Sequence, residues 1–557
     1  MVNTTQLKRY AKLGSLVIAL SPITAIANPL NNINETEIPT RYLVKFKQDN
    51  QPFSMAHNPF WGPRLGQQAL LSNAQATDVQ QLGHDSIYTV ELAAERAQHL
   101  RLRPDVEYVE IDPPRFLMSH TENTPWGYVA VNADQLNDYQ AGNQTICIID
   151  SGYDLAHNDL SGNRVTGTND RGTGQWYIPG NNNAHGTHVA GTIAAIANNE
   201  GIKGILPNQN VNLHIVKVFN ESGWGYSSSL VRAIQTCADN GANIVNMSLG
   251  GSQASRTERN AIDRLYQQGV LMIAAAGNSG NTAHSYPASY NSVMSVAAVD
   301  SNYDHASFSQ ATNQVEISAP GVAVLSTVTV GEGVLSNIVT QEHDYFNRGV
   351  VPHNRLNNNG FGFESAPIAG QYTAPLALCN TSSGRYQCGD MRGKICLTER
   401  IGNETPSVRP EINAVAACNH AGALAAIVYS NSQRPGLQNP FVIDQFDTNP
   451  LLSVTVDRNV GLELAAIQGQ IITVSTNTGA DYQYYNGTSM ATPHVSGVAG
   501  LVWSYHPQCS AQQIRRALTQ TALDLDVLGR DNRTGFGLVN ALAAKQYLDA
   551  GCNGPRG

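Results

Sequence analysis

Residues 486–497 read NGTSMATPHVSG, and the apolar helical pattern that begins there runs on through GVAGLVWSY to Tyr505. Small residues, Gly487, Thr488 and Ala491, crowd Ser489, and a proline follows four positions later at 493. A larger apolar side chain at the start of a buried helix would stabilise the fold by roughly 1.5–3 kcal/mol more than an exposed one. A serine here therefore raises the question of chemistry. Serine is a poor nucleophile unless a base activates it and a third group orients that base, so the chain must supply a histidine and an acid.

Both occur at positions suited to such work. Asp150 ends the apolar run TICIID and is followed by the turn signal Ser-Gly; His185 begins the helical pattern HGTHVAGTIAAIAN, with glycines at 186 and 191 that allow close packing. Asn278 closes another strand-like run, LMIAAAGN, where its amide is placed to donate to a developing oxyanion. In an open parallel sheet, ligands gather at the carboxyl ends of strands, where Asp150 and Asn278 stand. Taken singly, each has an ordinary reading: a turn aspartate, a packing histidine, a turn asparagine, a serine in close helix packing. His185 and His188 also form H-x-x-H, but no glutamate follows the first histidine as it does in zinc motifs. The joint occurrence of the four residues defeats the separate readings.

Outward from these residues, β-rich apolar runs (TICIID, NLHIVKVF, NIVNMSLG, VLMIAAAGN, SVMSVAAV) alternate with helical patterns from Pro125 onward. Such alternation predicts an α/β unit whose mostly parallel sheet is covered on both faces. It stops near Thr327 and resumes at Tyr484, so residues 329–479 are expected to form a domain inserted into a surface loop of a unit made of 119–328 and 480–557. The insert carries short strands and a helix in AVAACNHAGALAAIVYSN. Residues 28–118 read as a small α+β unit, with strand-like RYLVKF and VEYVEID around a Gln/Ala-rich helical stretch.

At 557 residues two or three domains are expected. A net charge of -9 and the lack of any Lys/Arg block exclude nucleic acid as a partner. Lys8, Arg9 and Lys12 precede an apolar run from Leu13 to Ile23 and then Ala25-Ile26-Ala27, which predicts a signal peptide over 1–27 and a secreted, soluble product. No later stretch reaches the roughly 18–20 apolar residues of a membrane span. Export makes the eight cysteines disulfide candidates. Cys379, Cys388, Cys396 and Cys418 lie close in sequence, Cys509 and Cys552 are placed to staple the C-terminal end, and Cys147 and Cys237 either pair or stay as buried thiols. No C-x-x-C occurs to favour zinc.

The order Asp, His, Ser, with TICIIDSG, HGTHVAGTIAA, VNMSLGG, AAAGN and NGTSMATPHVSGVAG, resembles the subtilisin-like serine proteases, or subtilases. That resemblance spans roughly 125–327 and 484–548. It implies a subtilisin-like three-layer fold, with Asp150, His185 and Ser489 as catalytic residues and Asn278 joining the Ser489 N–H in an oxyanion hole. By the same resemblance, extended peptide substrate pairs with Ser222, Gly223, Trp224 and Gly225 on one side and with Ser248, Leu249 and Gly250 on the other. Ala274, Ala275, Ala276 and Gly277 then wall a primary pocket without an evident acid, so large apolar residues are expected before the scissile bond. Residues before Pro125 resemble the inhibitory propeptide, cleaved near Met118, and the insert resembles a protease-associated domain. Asp159 and Asn198 fall where many members bind a structural calcium ion. The expected product is a monomeric endopeptidase of broad specificity acting on proteins and peptides.

Overall fold

The structure, a computed structural model, describes residues 41–47, 63–82, 86–111, 122–223, 225–358, 363–365, 368–443 and 449–555. The expected signal peptide and the cleavage region near Met118 lie outside these residues. The chain divides into two compact units, Met1–Leu117 and Met118–Gly557.

In the first unit, β1 (Arg41–Phe46), β2 (Thr77–Gln81), β3 (Ile87–Glu91) and β4 (Val106–Ile111) form an antiparallel sheet in the order β2-β3-β1-β4, with helices α1 (Pro63–Asn73) and α2 (Ala94–Arg101). Alternation along RYLVKF turns Tyr42, Val44 and Phe46 inward against Leu71, Tyr88, Val90 and Leu100. Two strands and one helix more are present than the sequence pattern predicts. The extra strand TDVQQ is polar and exposed, so it carries no alternation to read.

The second unit is built on seven parallel strands: β5 (Thr145–Asp150), β6 (Arg164–Asn169), β7 (Asn212–Lys217), β8 (Ile244–Met247), β9 (Leu271–Ala275), β10 (Val293–Val299) and β11 (Val315–Pro320). Their order is β11-β10-β9-β8-β5-β7-β6. The helices of the unit are α3 (Trp126–Ala130), α4 (His185–Ala194), α5 (Ser227–Asp239), α6 (Arg256–Gln267), α7 (Glu411–His420), α8 (Arg458–Ala466), α9 (Thr488–Tyr505), α10 (Ala511–Gln520) and α11 (Ala541–Asp549). Strand β5 demonstrates the layering. Ile146 and Ile148 pack with Val189, Ile193, Val495 and Val498 of α4 and α9, whereas Cys147 and Ile149 pack with Leu230, Ile234, Ile262 and Leu265 of α5 and α6. A strand buried on both faces reads as the continuous apolar run seen in TICII. Cys147 and Cys237 are disulfide-bonded, tying β5 to α5.

Strand β12 (Val324–Thr327) pairs antiparallel with a later strand, Tyr482–Tyr485, so the chain departs from the parallel-sheet unit and returns to it side by side. Between these crossings lie β13 (Gly333–Val339), β14 (Val351–Pro352), β15 (Asn354–Asn358), β16 (Phe363–Ser365), β17 (Gly370–Ser382), β18 (Arg385–Gln387), β19 (Ile395–Glu399), β20 (Ala425–Tyr429), β21 (Phe441–Ile443), β22 (Leu452–Val456) and β23 (Ile471–Ala480); the return strand is β24. A sheet in the order β13-β23-β17-β19-β20-β22-β14 has a parallel centre, with its own core of Leu376, Ile395, Ile427, Val454, Val460 and Leu464. Helix α8, in RNVGLELAA, is the second helix of this region, where the sequence pattern predicts one. Cys379–Cys388 and Cys396–Cys418 form disulfides here, and Cys509–Cys552 staples the C-terminal end.

The paired strands β12 and β24 are buckled to α4. Ser326 Oγ donates to the His188 carbonyl at 2.8 Å and Thr327 Oγ1 to the Thr187 carbonyl at 2.9 Å. The buried His188 ring contacts the Val324 and Gln483 carbonyls through Nε2, each at 3.1 Å, and stacks on Tyr485. Burial pushes its pKa down to about 3, so the ring is neutral. His188 therefore binds the two crossings together rather than joining His185 in a metal pair. The insertion also reaches the serine segment: Asn486 Nδ2 donates to the Asn439 carbonyl at 2.6 Å, Asn439 Nδ2 donates to the Tyr484 carbonyl at 3.0 Å, and Gln438 Nε2 donates to Asp300 at 3.1 Å.

Candidate active site

The sheet order reverses around β5, with β7 on one side and β8 on the other, and a cavity of about 630 Å³ opens at the carboxyl ends of these three strands. Asp150 ends β5 and His185 begins α4. A Cβ on Gly186 would collide with the Gly152 carbonyl, so glycine is what lets α4 begin beside the β5 turn. Ser151 Oγ completes the junction: it accepts from Gly186 N and donates to the Asn183 carbonyl, both at 2.9 Å.

His185 Nδ1 lies 2.7 Å from Asp150 Oδ1, which also accepts from Ser151 N at 2.8 Å. The carboxylate is fully buried while the imidazole is part-exposed to the cavity. An ionised carboxylate only accepts, so Nδ1 carries the proton and Nε2 is left as the base. Burial disfavours the charged imidazolium, but the charge and hydrogen bond of Asp150 override it and hold the His185 pKa above its ordinary 6.5.

Ser489 is the second residue of α9. Because Pro493 has no N–H, the Ser489 carbonyl lacks the partner that residue four along a helix normally supplies. Ser248 takes its place, with its Oγ donating to the Ser489 carbonyl at 2.8 Å, while Ser489 Oγ donates to the Ser248 carbonyl at 3.1 Å. Behind them a buried chain runs from Ser496 Oγ to Asn246 Oδ1 at 2.9 Å and from Asn246 Nδ2 to Ser248 Oγ at 3.0 Å. The serine hydroxyl thus rests on Ser248 rather than on His185.

Asn278 is aimed by α9 itself. Its Oδ1 accepts from Thr488 N at 2.9 Å and Thr488 Oγ1 at 2.8 Å, which turns Nδ2 outward. A Cβ on Gly487 would lie 3.5 Å from both Asn278 Nδ2 and Ser489 N. Both donors therefore lie beside Gly487, which holds a φ of 150° that other residues rarely adopt. Such a pair, at the positive end of a helix, is suited to an oxyanion.

Of the expected substrate-binding residues, Gly223 and Gly225 line one wall of the cavity and Ser248, Leu249 and Gly250 the other. Ser222 is exposed and does not line it, and Trp224 lies outside the described residues. Ala274, Ala275 and Ala276 are buried at the end of β9, and with Gly277 they stand apart from this cavity. Asp159 and Asn198 come together, but as hydrogen-bond partners. Asn198 Nδ2 donates to Asp159 Oδ1 at 3.0 Å, Ile202 N donates to Oδ2 at 2.9 Å, and Tyr482 bonds the same carboxyl. The Asn198 amide oxygen already accepts from Glu200 N at 2.9 Å. Calcium takes six to eight oxygen ligands, and a carboxylate surrounded by N–H and O–H donors does not fit that cage.

Sequence reasoning missed Ser151, Asn246 and Ser496, which hold the site from behind, and Glu258, which lines the cavity. Glu258 was hidden by its setting, since Ser255-Arg256-Thr257-Glu258 is the S-x-x-E pattern of a helix cap.

The subtilase family model matches residues 141–354 and 405–537, together more than half of the chain. Subtilisin DY of Bacillus licheniformis is 42% identical over 212 residues, which are 37% of this chain and 75% of that protein. An alkaline protease of Alkalihalobacillus alcalophilus is 37% identical over 324 residues, 56% of this chain and 79% of that one. The crystal structure of a psychrophilic subtilisin-like protease from the Antarctic psychrotroph Pseudoalteromonas sp. AS-11 superposes with a TM-score of 0.76 at 64% identity, covering 78% of this chain and all of that one. With the parallel sheet, the aspartate–histidine pair and the serine at the head of a buried helix, these matches establish that the chain belongs to the subtilase family of serine proteases.

Proposed function

We propose that Ser489 is the nucleophile of this serine endopeptidase, His185 its base and Asp150 the group that orients the base. The observation that carries this reading is the buried Asp150 carboxylate 2.7 Å from His185 Nδ1, which leaves Nε2 as the base. In the reaction, Ser489 Oγ swings about its Cα–Cβ bond from the Ser248 carbonyl to His185 Nε2. The hydroxyl proton passes to Nε2 as Oγ bonds the peptide carbonyl carbon, and the carbonyl oxygen becomes an oxyanion between the two donors. The imidazolium then gives its proton to the leaving nitrogen as the C–N bond breaks. Water, deprotonated by the same histidine, attacks the acyl-enzyme and frees the acid. Asp150 keeps the Nδ1–H tautomer and stabilises the imidazolium without itself taking the proton.

The product is a secreted enzyme of broad specificity that favours large apolar residues immediately before the scissile bond. Export is supported by the 1–27 pattern and by the complete pairing of the cysteines into four disulfides. Among the described residues no helix is long and apolar enough to cross a membrane. The two-helix, four-strand unit of residues 41–111 serves as an inhibitory propeptide, and the region between β12 and β24 as a protease-associated domain; its separate core supports that reading. The mature enzyme acts as a monomer.

The test is an intact-mass comparison of wild type and Ser489→Ala after secretion, with turnover of an apolar peptide ester. Loss of the segment up to about Met118 and turnover in wild type alone are expected. A variant that matures and hydrolyses like wild type would falsify the assignment.

A further inference from the structure

The cavity lined by Asp150 and His185 is also lined by Leu230, Leu249, Tyr286 and Glu258. Among its described lining residues the only acids are Asp150, which is committed to His185, and Glu258; no lysine or arginine lines it. Glu258 is the third residue of α6, whose cap is Ser255. In the usual capping arrangement its carboxylate would reach back to the Ser255 N–H. Here that N–H donates to the Tyr290 hydroxyl at 2.8 Å. The carboxylate is released toward the cavity, where Ser227 Oγ, at the first residue of α5, donates to Oε2 at 2.6 Å. Two helix N-termini thus face a buried anion, an arrangement that favours the charged form.

The cavity walls combine apolar surface from Leu249, Leu230 and Tyr286 with polar Ser229 and Ser252. A side chain entering here meets apolar walls and one carboxylate that is not committed to His185. That combination matches the four-carbon stem and terminal charge of lysine, or the longer arginine, which bury their stems and seek a partner for their heads. A short apolar side chain would leave the buried carboxylate without a cation, and an acidic one would be repelled.

We infer that Glu258 is a specificity residue, selecting a long cationic side chain at one position on the amino-terminal side of the scissile bond. The inference rests on the assignment of Ser489 and His185 above, because His185 lines the same cavity as Glu258. It adds a polar preference to an enzyme otherwise expected to read apolar residues next to the bond. Burial pushes the Glu258 carboxyl above its ordinary range, against the hydrogen bonds of Ser227 and Tyr290; a bound cation would relieve that cost.

The experiment uses fluorogenic peptides with a fixed apolar residue before the scissile bond and Lys, norleucine, Gln or Glu scanned singly through the four upstream positions. Wild type, Glu258→Gln, Glu258→Leu and Ser489→Ala are compared by kcat/KM, with thermal midpoints recorded for each. At one position wild type should favour Lys over norleucine by at least about tenfold and reject Glu. Glu258→Gln should lose that ratio and Glu258→Leu should invert it, while other positions keep their profiles. Should Glu258→Leu fail to fold, the isosteric Gln variant decides. An unchanged Lys-to-norleucine ratio at every position in folded Glu258→Gln overturns the inference, as does a folded variant inactive toward all peptides, since Glu258 would then act only in structure. Turnover by Ser489→Ala would instead overturn the assignment of the nucleophile.

Discussion

Gly487 holds a φ of 150° beside Asn278 Nδ2 and Ser489 N, so a side chain there strains the backbone and displaces the Ser489 N–H. Gly487→Ala should lower kcat by about 10²–10³, the loss found on removing one such donor in subtilisin, with KM little changed. Steady-state kinetics on an apolar ester checks this, and an unaltered kcat would place the oxyanion elsewhere. For His185 the sign of the pH dependence follows from its raised pKa: catalysis needs the neutral ring, so activity falls as pH drops through that value. The acid limb of kcat/KM should lie above the ~6.5 of free imidazole. In Asp150→Asn the limb should move down, because the charge that raised it is gone, and kcat should fall by about 10⁴ through the wrong tautomer. Asp150, His185, Asn278 and Ser489 stood out in sequence as candidates because each sits in a run whose local chemistry is odd for a core. Glu258 was not, because it satisfies a capping pattern, and only Tyr290, thirty-two positions on, diverts it.

Helix α9 is tuned by what Pro493 withholds. The Ser489 carbonyl depends on Ser248, so Ser248→Ala should destabilise the fold by about 1–3 kcal/mol, the cost of a buried acceptor left unpaired. In a Pro493→Ala background the restored N–H can take over, and the penalty for Ser248→Ala should shrink by about 1 kcal/mol in a double-mutant cycle measured by urea denaturation. Equal penalties in both backgrounds would show that the carbonyl does not couple the two residues. At this scale five of the seven parallel strands were readable, since strands buried on both faces are apolar throughout, whereas β6, the largely exposed RVTGTN, and β11, VEISAP with its interrupting glutamate and proline, were not. The polar edge strand Thr77–Gln81 and the helix Arg458–Ala466 were less so; one lacks a buried face and the other has a short apolar stripe of Val460, Gly461 and Leu464.

Among the polar contacts between residues 329–479 and the parallel-sheet unit, the one from Asn486 Nδ2 to the Asn439 carbonyl lies three residues before Ser489. Asn439→Ala removes the donor to Tyr484 and should lower both the thermal midpoint and turnover of a small ester by several-fold, although residue 439 is far in sequence from any catalytic group. A change confined to large protein substrates would instead mean that this contact serves recognition alone. The break in βα alternation between Thr327 and Tyr484 was readable in sequence, but the polar bracing across it was not, because asparagines at 439 and 486 carry no periodicity. The paired crossings β12 and β24 also divide the proposed machinery in time: Asp150, His185 and Asn278 precede the insertion and Ser489 follows it. As the ribosome releases the chain, the base and the oxyanion donor emerge well before the nucleophile, and the whole insertion must be translated in between. A nascent chain stalled anywhere before residue 489 is therefore chemically silent, and the protease arms itself only when its last helices have left the exit tunnel.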